Sequence, residues 1–266
     1  MIRFAEKRDF PAVRALWETC FPDEGGFNDY FFEHFYKEEW TLLCIENETL
    51  VAMVQMLPYR MTVGGRSREV TYIYGACTDP NHRRKGHMAR LLERSFELDR
   101  QAGRIASVLI PAEAWLFGFY KPFGYEPFFH IRRREITRTA GESEAPRRLT
   151  ADDVPALAAL YDKLTPECRI ERDTAYWTAQ LRMFDALGAG VYGWFDGDAL
   201  TGYAFCWEDN AQEALGVNDA QLQGLLAALG RGTLTVTEIG TETALGVCRW
   251  HEKADETAGY MNLMLN

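Results

Sequence analysis

Long apolar runs, paired cysteines and clustered histidines are all missing from this sequence of 266 residues. A membrane-spanning helix needs roughly 18 or more consecutive apolar residues, and no stretch of that length occurs. The first residues, which include Arg3, Lys7 and Arg8, lack the apolar core of a secretory signal. The six cysteines and five histidines are scattered without Cys-x-x-Cys or zinc-ligand spacing. We therefore expect reduced thiols, a cytoplasmic location and no metal site.

Basic residues are also fewer than acidic residues in this sequence. The 39 acidic residues outnumber the 29 lysines and arginines and give a net charge of −10 at pH 7. Such a chain repels nucleic acids and anionic membrane surfaces, and it attracts cationic ligands. We therefore expect neither a nucleic-acid partner nor a membrane partner, whereas the sequence leaves the oligomeric state open and allows a homo-oligomer.

One basic turn lies between an apolar, β-rich run at 70–77 and apolar residues at helical spacing from Met88 onward. The free N–H groups of a first helical turn and the helix dipole favour an anion, and Gly86 lets a phosphate approach the backbone closely. The turn contains neither a Walker A loop nor the Gly-x-Gly-x-x-Gly of dinucleotide-binding folds. The pattern predicts a pyrophosphate-binding turn, with a solvated basic helix start as the alternative.

Two neighbouring features favour a binding site over a solvated surface. Gly75 lies inside the preceding strand pattern, where a glycine often marks a bulge or the close approach of a ligand. Downstream, a β-branched run at 105–110 stops at Pro111. A short apolar helix follows and ends before Pro122, with Gly124 just beyond it, as is typical of helix ends.

The basic turn resembles motif A of the Gcn5-related N-acetyltransferases, Arg/Gln-x-x-Gly-x-Gly/Ala, and here reads Arg83-Arg84-Lys85-Gly86-His87-Met88. Met88 stands where the motif usually has Gly or Ala. A Met at this position resembles the branch of the superfamily related to the enhanced-intracellular-survival acetyltransferases. The stretch from Tyr120 to Tyr125 is similar to motif B, Tyr-x-x-Gly-Phe/Tyr, with one insertion. The resemblance implies acetyl-CoA as cosubstrate, with pantetheine entering between two splayed parallel strands. The residues implied for cofactor contact are Ala76, Cys77, Thr78, Arg83, Arg84, Lys85, Gly86, His87, Met88 and Ala89.

The activity implied by this resemblance is N-acetyl transfer to a primary amine of a small molecule or a lysine side chain. An amine acceptor agrees with the acidic composition. The chemistry requires an amine that loses its proton, a stabilised oxyanion and a departing thiolate. Tyr120 is implied as the acid that protonates the thiolate, since an ordinary phenol is protonated at neutral pH. The alternatives are a non-catalytic acyl-CoA-binding sensor and a transferase for longer acyl groups.

The base of the reaction has several candidates. Glu113 follows the second splayed strand, while Asp23 and Glu24 lie between the first two helical patterns, and each can also be a solvated surface carboxylate. In the enhanced-intracellular-survival group the C-terminal carboxylate is the base. The resemblance therefore implies the carboxylate of Asn266, which we expect to approach the cleft of the first domain.

An internal repeat predicts two domains. The segment from Asp9 to Trp17 is matched by Asp153 to Tyr161, and residues 139–148 have linker composition. We expect domains at 1–138 and 147–266, the second without an Arg-x-x-Gly turn. The predicted fold class is α/β with a mixed (α+β) sheet, as tandem acetyltransferase-like folds of which the second is degenerate. We do not expect the sterol-carrier-like third domain that the enhanced-intracellular-survival group carries after its tandem pair.

Overall fold

The computed structural model describes residues 1–265, which divide into two compact units. Unit 1 comprises Met1–Phe128 and Gly246–Thr257, and unit 2 comprises Phe129–Leu245 and the residues from Ala258 onward. Both units are therefore discontinuous in sequence, in contrast to the two continuous domains that the sequence predicts.

The segment 139–148, which the sequence predicts as a linker, lies within unit 2. The backbone N–H of Thr139 donates to Gln223 Oε1 at 2.8 Å, and that of Glu144 donates to the Ala220 carbonyl at 3.0 Å. A Cβ on Gly224 would lie only 1.8 Å from the Glu144 carbonyl oxygen. The polar composition predicts the lack of regular structure at 139–146, but it predicts neither the helix surface against which this loop packs nor the short strand at Arg147–Arg148.

Unit 1 begins with the helices and strands of the N-terminal half. The strands are β1 (Ile2–Phe4), β2 (Thr41–Glu46), β3 (Thr49–Val63), β4 (Arg66–Thr78) and β5 (Ala106–Leu109). The helices are α1 (Phe10–Cys20), α2 (Phe27–His34), α3 (His87–Gln101) and α4 (Ala114–Tyr120). Strands β1 to β4 pair antiparallel in sequence order, and β5 adds parallel to β4.

Helices cover both faces of this sheet. On one face, Trp17 of α1 stacks on Phe31 of α2 with 4.6 Å between ring centroids, and both rings contact Tyr74 of β4. On the other face, His87 of α3 lies 3.7 Å from the Cys44 sulfur of β2. Each helix buries one apolar stripe against the strands, as in an α/β layer architecture.

A splay and a bulge interrupt the sheet at β4. The parallel pairing of β4 with β5 covers Val70–Tyr72 opposite Ala106–Val108, although β4 continues to Thr78. The register between β3 and β4 shifts next to Gly75, whose φ of +55° is left-handed. The bulge predicted from Gly75 is thus confirmed, and the group that approaches this glycine closely is the Trp17 indole, 2.2 Å from where a Cβ would be.

Unit 2 is built from the later elements. Its strands are the unit 2 part of β6 (Glu126–Thr137), β7 (Arg147–Arg148), β8 (Arg169–Ile170), β9 (Gly190–Asp196), β10 (Ala199–Trp207), β11 (Asn210–Leu215) and β12 (Thr233–Ile239). Its helices are α5 (Val154–Leu164), α6 (Thr174–Ala186) and α7 (Asp219–Leu229). The last strand, β13 (Thr243–Trp250), contributes Val247–Trp250 to unit 1, antiparallel to β5.

The order of elements in unit 2 repeats that of unit 1. Two helices lead to an antiparallel strand pair and then to β11–α7–β12, in which β11 and β12 are parallel. A bidentate ion pair recurs at the start of each first helix. Arg3 binds Asp9 at 2.6 and 2.9 Å, and Arg147 binds Asp153 at 2.6 and 3.3 Å. Each unit therefore combines antiparallel and parallel strands, which confirms the predicted α/β class with a mixed sheet.

Within the part of the chain that the structure describes, none of the helices combines the length and the apolar character needed to cross a membrane.

Candidate functional site

The N-terminus of α3 is open to solvent. Gly86 is its N-cap residue with a φ of +78°, and none of the side chains in residues 1–265 caps the helix there. A Cβ added to Gly86 would meet nothing within 4 Å. The side chains of Arg83, Arg84 and Lys85 are exposed around this point. Free N–H groups, the positive end of a helix dipole and nearby cations together form an anion-binding site.

The backbone of the turn is held in an unusual conformation. Arg84 has a left-handed φ of +62°, which few residues other than glycine adopt. Arg83 reaches back from the turn, and its Nε donates to the Thr78 carbonyl at 3.3 Å. The turn is therefore tied to the end of β4 by one of its own cations.

The stretch of β4 beyond the last parallel pair lies next to this turn. Ala76, Cys77 and Thr78 are the residues of β4 that the sequence predicts to contact the cofactor. Cys77 is buried with 5 % exposure, whereas Ala76 and Thr78 are partly exposed. The Thr78 carbonyl also accepts a hydrogen bond from the Cys20 thiol at 3.6 Å. A strand that has left its parallel neighbour presents backbone N–H and C=O groups that an extended ligand can pair with.

Tyr120 lies at the C-terminal end of α4 and is 7 % exposed. Burial raises the pKa of its phenol to about 12, so the phenol is protonated at neutral pH. Its ring contacts the rings of Phe119 and Tyr125 edge-on. The Tyr125 hydroxyl shares a hydrogen bond with Ser107 Oγ of β5 at 2.6 Å, so Tyr120 lies near the strand that pairs with β4.

The predicted carboxylates have different surroundings. Glu113 is exposed at the start of α4 and accepts a hydrogen bond from Trp115 Nε1 at 2.7 Å. Asp23 accepts the backbone N–H groups of Gly25 and Asn28 at 3.0 and 2.9 Å, so it holds the entry into α2. Glu24 is exposed, and Asn266 lies outside the described residues.

The remaining motif residues are available mainly through their backbone. The imidazole of His87 is 3 % exposed and packs inward, with Nε2 3.6 Å from Glu46 Oε2. Met88 and Ala89 are partly exposed in the first turn of α3. A contribution of these three residues to cofactor binding thus rests on the N–H groups of the turn.

In unit 2, the N-terminus of the corresponding helix, α7, is capped by its own side chains. The Asn218 side chain accepts from the Gln221 N–H at 2.9 Å, and Gln221 Oε1 accepts from the Asn218 N–H at 3.0 Å. This reciprocal arrangement is a capping box. Asp219 adds a carboxylate to the first turn, and Arg134 binds that carboxylate at 2.9 Å.

Comparison with known proteins agrees with this geometry. The family model described as "Acetyltransferase (GNAT) domain" matches residues 1–128. The match covers just under half of the chain, so residues 1–128 are similar to a GNAT acetyltransferase domain. A search of curated protein sequences finds no match.

Solved structures share the GNAT fold at low sequence identity. A GCN5-related N-acetyltransferase from Anabaena variabilis has a TM-score of 0.72 and 16% identity over 94% of this chain and 72% of its own. Eis1 from Mycobacterium abscessus has a TM-score of 0.64 and 15% identity over 94% and 73%. Saccharomyces cerevisiae N-myristoyltransferase with bound myristoyl-CoA has a TM-score of 0.60 and 10% identity over 98% and 89%. At these identities the likeness establishes the fold.

Proposed function

We propose that unit 1 is an acetyl-CoA-dependent N-acetyltransferase that acts on a primary amine of a small molecule or a lysine side chain. The observation that carries this proposal is the uncapped, cation-flanked N-terminus of α3 beside the free stretch of β4. The open space at Gly86 leaves room for a phosphate against the backbone. The family match to residues 1–128 supports the assignment.

Each part of the site has a distinct task in this proposal. Arg84 and Lys85 neutralise the pyrophosphate together with the first N–H groups of α3. The backbone of β4 at 76–78 holds the pantetheine arm, which delivers the thioester as the acyl donor. Tyr120 donates its proton to the sulfur that leaves, a role for which its raised pKa keeps the proton in place.

The proton acceptor for the amine is assigned to Glu113 or to the carboxylate of Asn266, and both stay predictions. Appending a few residues after Asn266 moves that carboxylate away. If it is the base, turnover falls sharply while acetyl-CoA affinity is kept. Unchanged turnover would exclude the Asn266 carboxylate as the base and leave Glu113 as the candidate. The variant Glu113→Gln tests that candidate.

Tyr120→Phe tests the proposed function directly. We expect the variant to bind acetyl-CoA as the wild type does in calorimetry but to release free thiol at least about tenfold more slowly with an amine acceptor, a typical range for loss of a general acid being 10²–10⁴-fold. A wild-type protein that binds acetyl-CoA and releases no thiol with any amine in a broad panel would instead be a sensor. A strong preference for longer acyl thioesters would redefine the donor.

We further infer that unit 2 is a second, degenerate acetyltransferase-like fold, as in enhanced-intracellular-survival enzymes. The repeated Arg3–Asp9 and Arg147–Asp153 pairs support a common origin. A bulge at Gln212 in β11, in the position of the β4 bulge, also supports it. Calorimetry should then give one acetyl-CoA per chain. A cytoplasmic location also stays a prediction.

A further inference from the structure

The turn that follows Tyr120 is held by a side chain from β13. One turn of 3-10 helix at Lys121–Phe123 continues α4 and ends at Gly124. The Nε of Arg249 donates to the Phe123 carbonyl at 2.8 Å. The same side chain lies against Gly124, where a Cβ would be 3.5 Å from Arg249 Nε. Arg249 therefore fixes the backbone of this turn.

The residue after the turn packs against the Tyr120 ring. Tyr125 directly follows Gly124, and its ring lies 5.6 Å from that of Tyr120 between centroids. The Tyr125 hydroxyl is bonded to Ser107, which pairs with Arg249 in the register of β5 and β13. A displacement of the turn would therefore displace the aromatic ring that Tyr120 packs against.

The Arg249 side chain is itself held by two neighbours. Its guanidinium carbon lies 4.1 Å from the centroid of the Phe96 ring of α3, which is a cation–π contact. Its Nη1 lies 2.8 Å from His251 Nδ1. A guanidinium carries only donors, so Nδ1 is the acceptor. The donor nitrogen of a neutral His251 ring is then Nε2.

The Nε2 proton of His251 points at a buried carboxylate. Nε2 lies 3.1 Å from Asp99 Oδ2, and the side chains of His251 and Asp99 are 2 % and 0 % exposed. The second oxygen, Oδ1, accepts the Thr71 hydroxyl at 2.6 Å and lies 3.2 Å from Arg104 Nη1. A continuous series of polar contacts thus leads from Asp99 on α3 through His251 to Arg249.

We propose that Arg249 is a positioning residue for Tyr120 and that His251 and Asp99 hold it in the required orientation. The segment Gly246–Thr257 then completes the catalytic site of unit 1. The effect on catalysis rests on the proposed function, whereas the contact between Arg249 and the turn does not. Arg249 acts through the turn and not on the substrate. Position matters because a displacement of about 1 Å can slow a catalysed step by about 10²-fold.

The contact with the turn is tested by hydrogen–deuterium exchange on the full-length chain without substrate. Arg249→Met keeps an unbranched side chain but removes the donors to Phe123 and His251. The peptide that covers 121–125 should exchange at least about fivefold faster, because local opening of this turn becomes easier. Exchange equal to that of the wild type overturns the proposal.

Arg68→Met is the matched control for this measurement. Arg68 also holds the segment Gly246–Thr257, through an ion pair with Glu252 at 2.6 Å, but both of these side chains are exposed. Exchange at 121–125 and turnover should therefore stay at the wild-type values. Faster exchange there in Arg68→Met as well would mean that any loosening of this segment has the same effect, and it would overturn the specific role of Arg249.

The catalytic role is tested by thiol release from acetyl-CoA with the primary amine, from a panel that includes Nα-acetyl-lysine, that the wild type acetylates fastest. Arg249→Met should lower kcat about tenfold, since it misplaces the acid. The KM for the amine and the acetyl-CoA affinity in calorimetry should stay within about twofold, because neither ligand touches Arg249. Unchanged kcat, or a loss of affinity in proportion to kcat, overturns the proposal.

Substitutions of His251 provide the conservative rescue. His251→Leu removes both polar contacts of the ring and should lower kcat as Arg249→Met does. His251→Gln supplies one acceptor and one donor on a single side chain, so it can still join Arg249 to Asp99 and should keep most of the turnover. Equal losses in both variants would contradict the series of contacts.

The decisive comparison uses Tyr120→Phe as the background. If Arg249 acts through Tyr120, adding Arg249→Met to Tyr120→Phe should lower kcat by less than about twofold further, because residues that act as a unit are not additive. A further tenfold loss would show that Arg249 acts by another route and overturns the proposal. A wild type that releases no thiol with any amine refutes the proposed function and the catalytic role with it. The exchange measurement separates that outcome from a failure of the Arg249 contact.

Discussion

Helices α3 and α7 occupy the same place in their units, between two parallel strands, but their N-termini differ. The α3 terminus has Gly86 as its cap residue, no capping side chain among residues 1–265 and cations around it. The α7 terminus has a capping box and a carboxylate in its first turn. Because both helices connect two parallel strands, the residues and backbone conformation at the cap, left-handed at Gly86 and extended at Asn218, decide whether the helix binds an external anion or satisfies its own N–H groups.

The strands that precede these helices differ in the same sense. Strand β4 leaves its parallel partner after Tyr72, and β11 leaves β12 after Ala211. In unit 2 the C-terminal segment lies against the unpaired stretch, where Asn262 Nδ2 donates to the Gln212 carbonyl at 2.8 Å. Under our proposal, the pantetheine arm lies against this stretch of β4 in unit 1. In unit 2, the C-terminal segment of the chain occupies the corresponding position against β11.

A buried ion pair holds that C-terminal segment. Arg172 and Glu213 are fully buried and bind at 2.6 and 2.8 Å, and Arg172 also donates to the Asn262 carbonyl. Tyr203 and Tyr260 donate their hydroxyls to the two Glu213 oxygens. Both charges of the pair are thus neutralised by a buried partner, and the position of the C-terminal segment against β11 depends on these few polar contacts.

The largest expected effect comes from Arg172→Met. It leaves Glu213 charged and without its cation, so unit 2 should lose about 3–5 kcal/mol of unfolding free energy. Urea denaturation followed by tryptophan fluorescence measures this, because Trp177 and Trp194 are buried in unit 2. The double variant Arg172→Met with Glu213→Leu should recover most of the loss, because no unpaired charge remains. Equal stability of the single variant and the wild type would contradict the role of this pair.

Gly86→Val closes the open terminus in unit 1 and has the next largest expected effect. A β-branched residue is strained at a φ of +78°, and its side chain fills the space beside the backbone. Acetyl-CoA affinity should fall about 100-fold, which corresponds to about 2.7 kcal/mol.

Gly230→Val is the matched control for that variant. Gly230 follows α7 with a φ of +65°, and a Cβ there also meets nothing within 4 Å. The backbone strain is therefore similar, but the site is in unit 2, and acetyl-CoA affinity should stay at the wild-type value. Equal losses of affinity in both variants would mean that general destabilisation, and not the α3 site, explains the result.

The basic turn and the bulge could be predicted because both have local signals. Gly86 before apolar residues at helical spacing indicates an uncapped helix start, and Gly75 inside a strand indicates a bulge. The contact of Cys20 with this site had no such signal, because α1 and β4 are far apart in sequence. Pairing of distant segments leaves no periodicity that a sequence pattern can show.

The division into units shows the same limit. His251 Nε2 lies 3.1 Å from Asp99 Oδ2, and Arg249 Nη1 lies 2.8 Å from His251 Nδ1, so the segment Gly246–Thr257 is anchored in unit 1. A strand contributed from so late in the chain cannot be located from linker composition. Arg3 and Arg147, in contrast, lie at the same sequence offset as Asp9 and Asp153, so the repeat could have been used to predict this second matched pair.

Asn218→Ala removes the capping box of α7 and has the smallest expected effect. The loss of an N-cap side chain costs about 1 kcal/mol, so the urea midpoint should fall slightly, and Asn218→Ser should restore it. The variant frees N–H groups at the α7 terminus, yet Asp219 and the C-terminal segment against β11 remain. Calorimetry should therefore still give one acetyl-CoA per chain. A second bound equivalent would show that the capping box alone prevents unit 2 from binding acetyl-CoA. The contact of the C-terminal segment with β11 would then contribute nothing to the difference in binding between the two units.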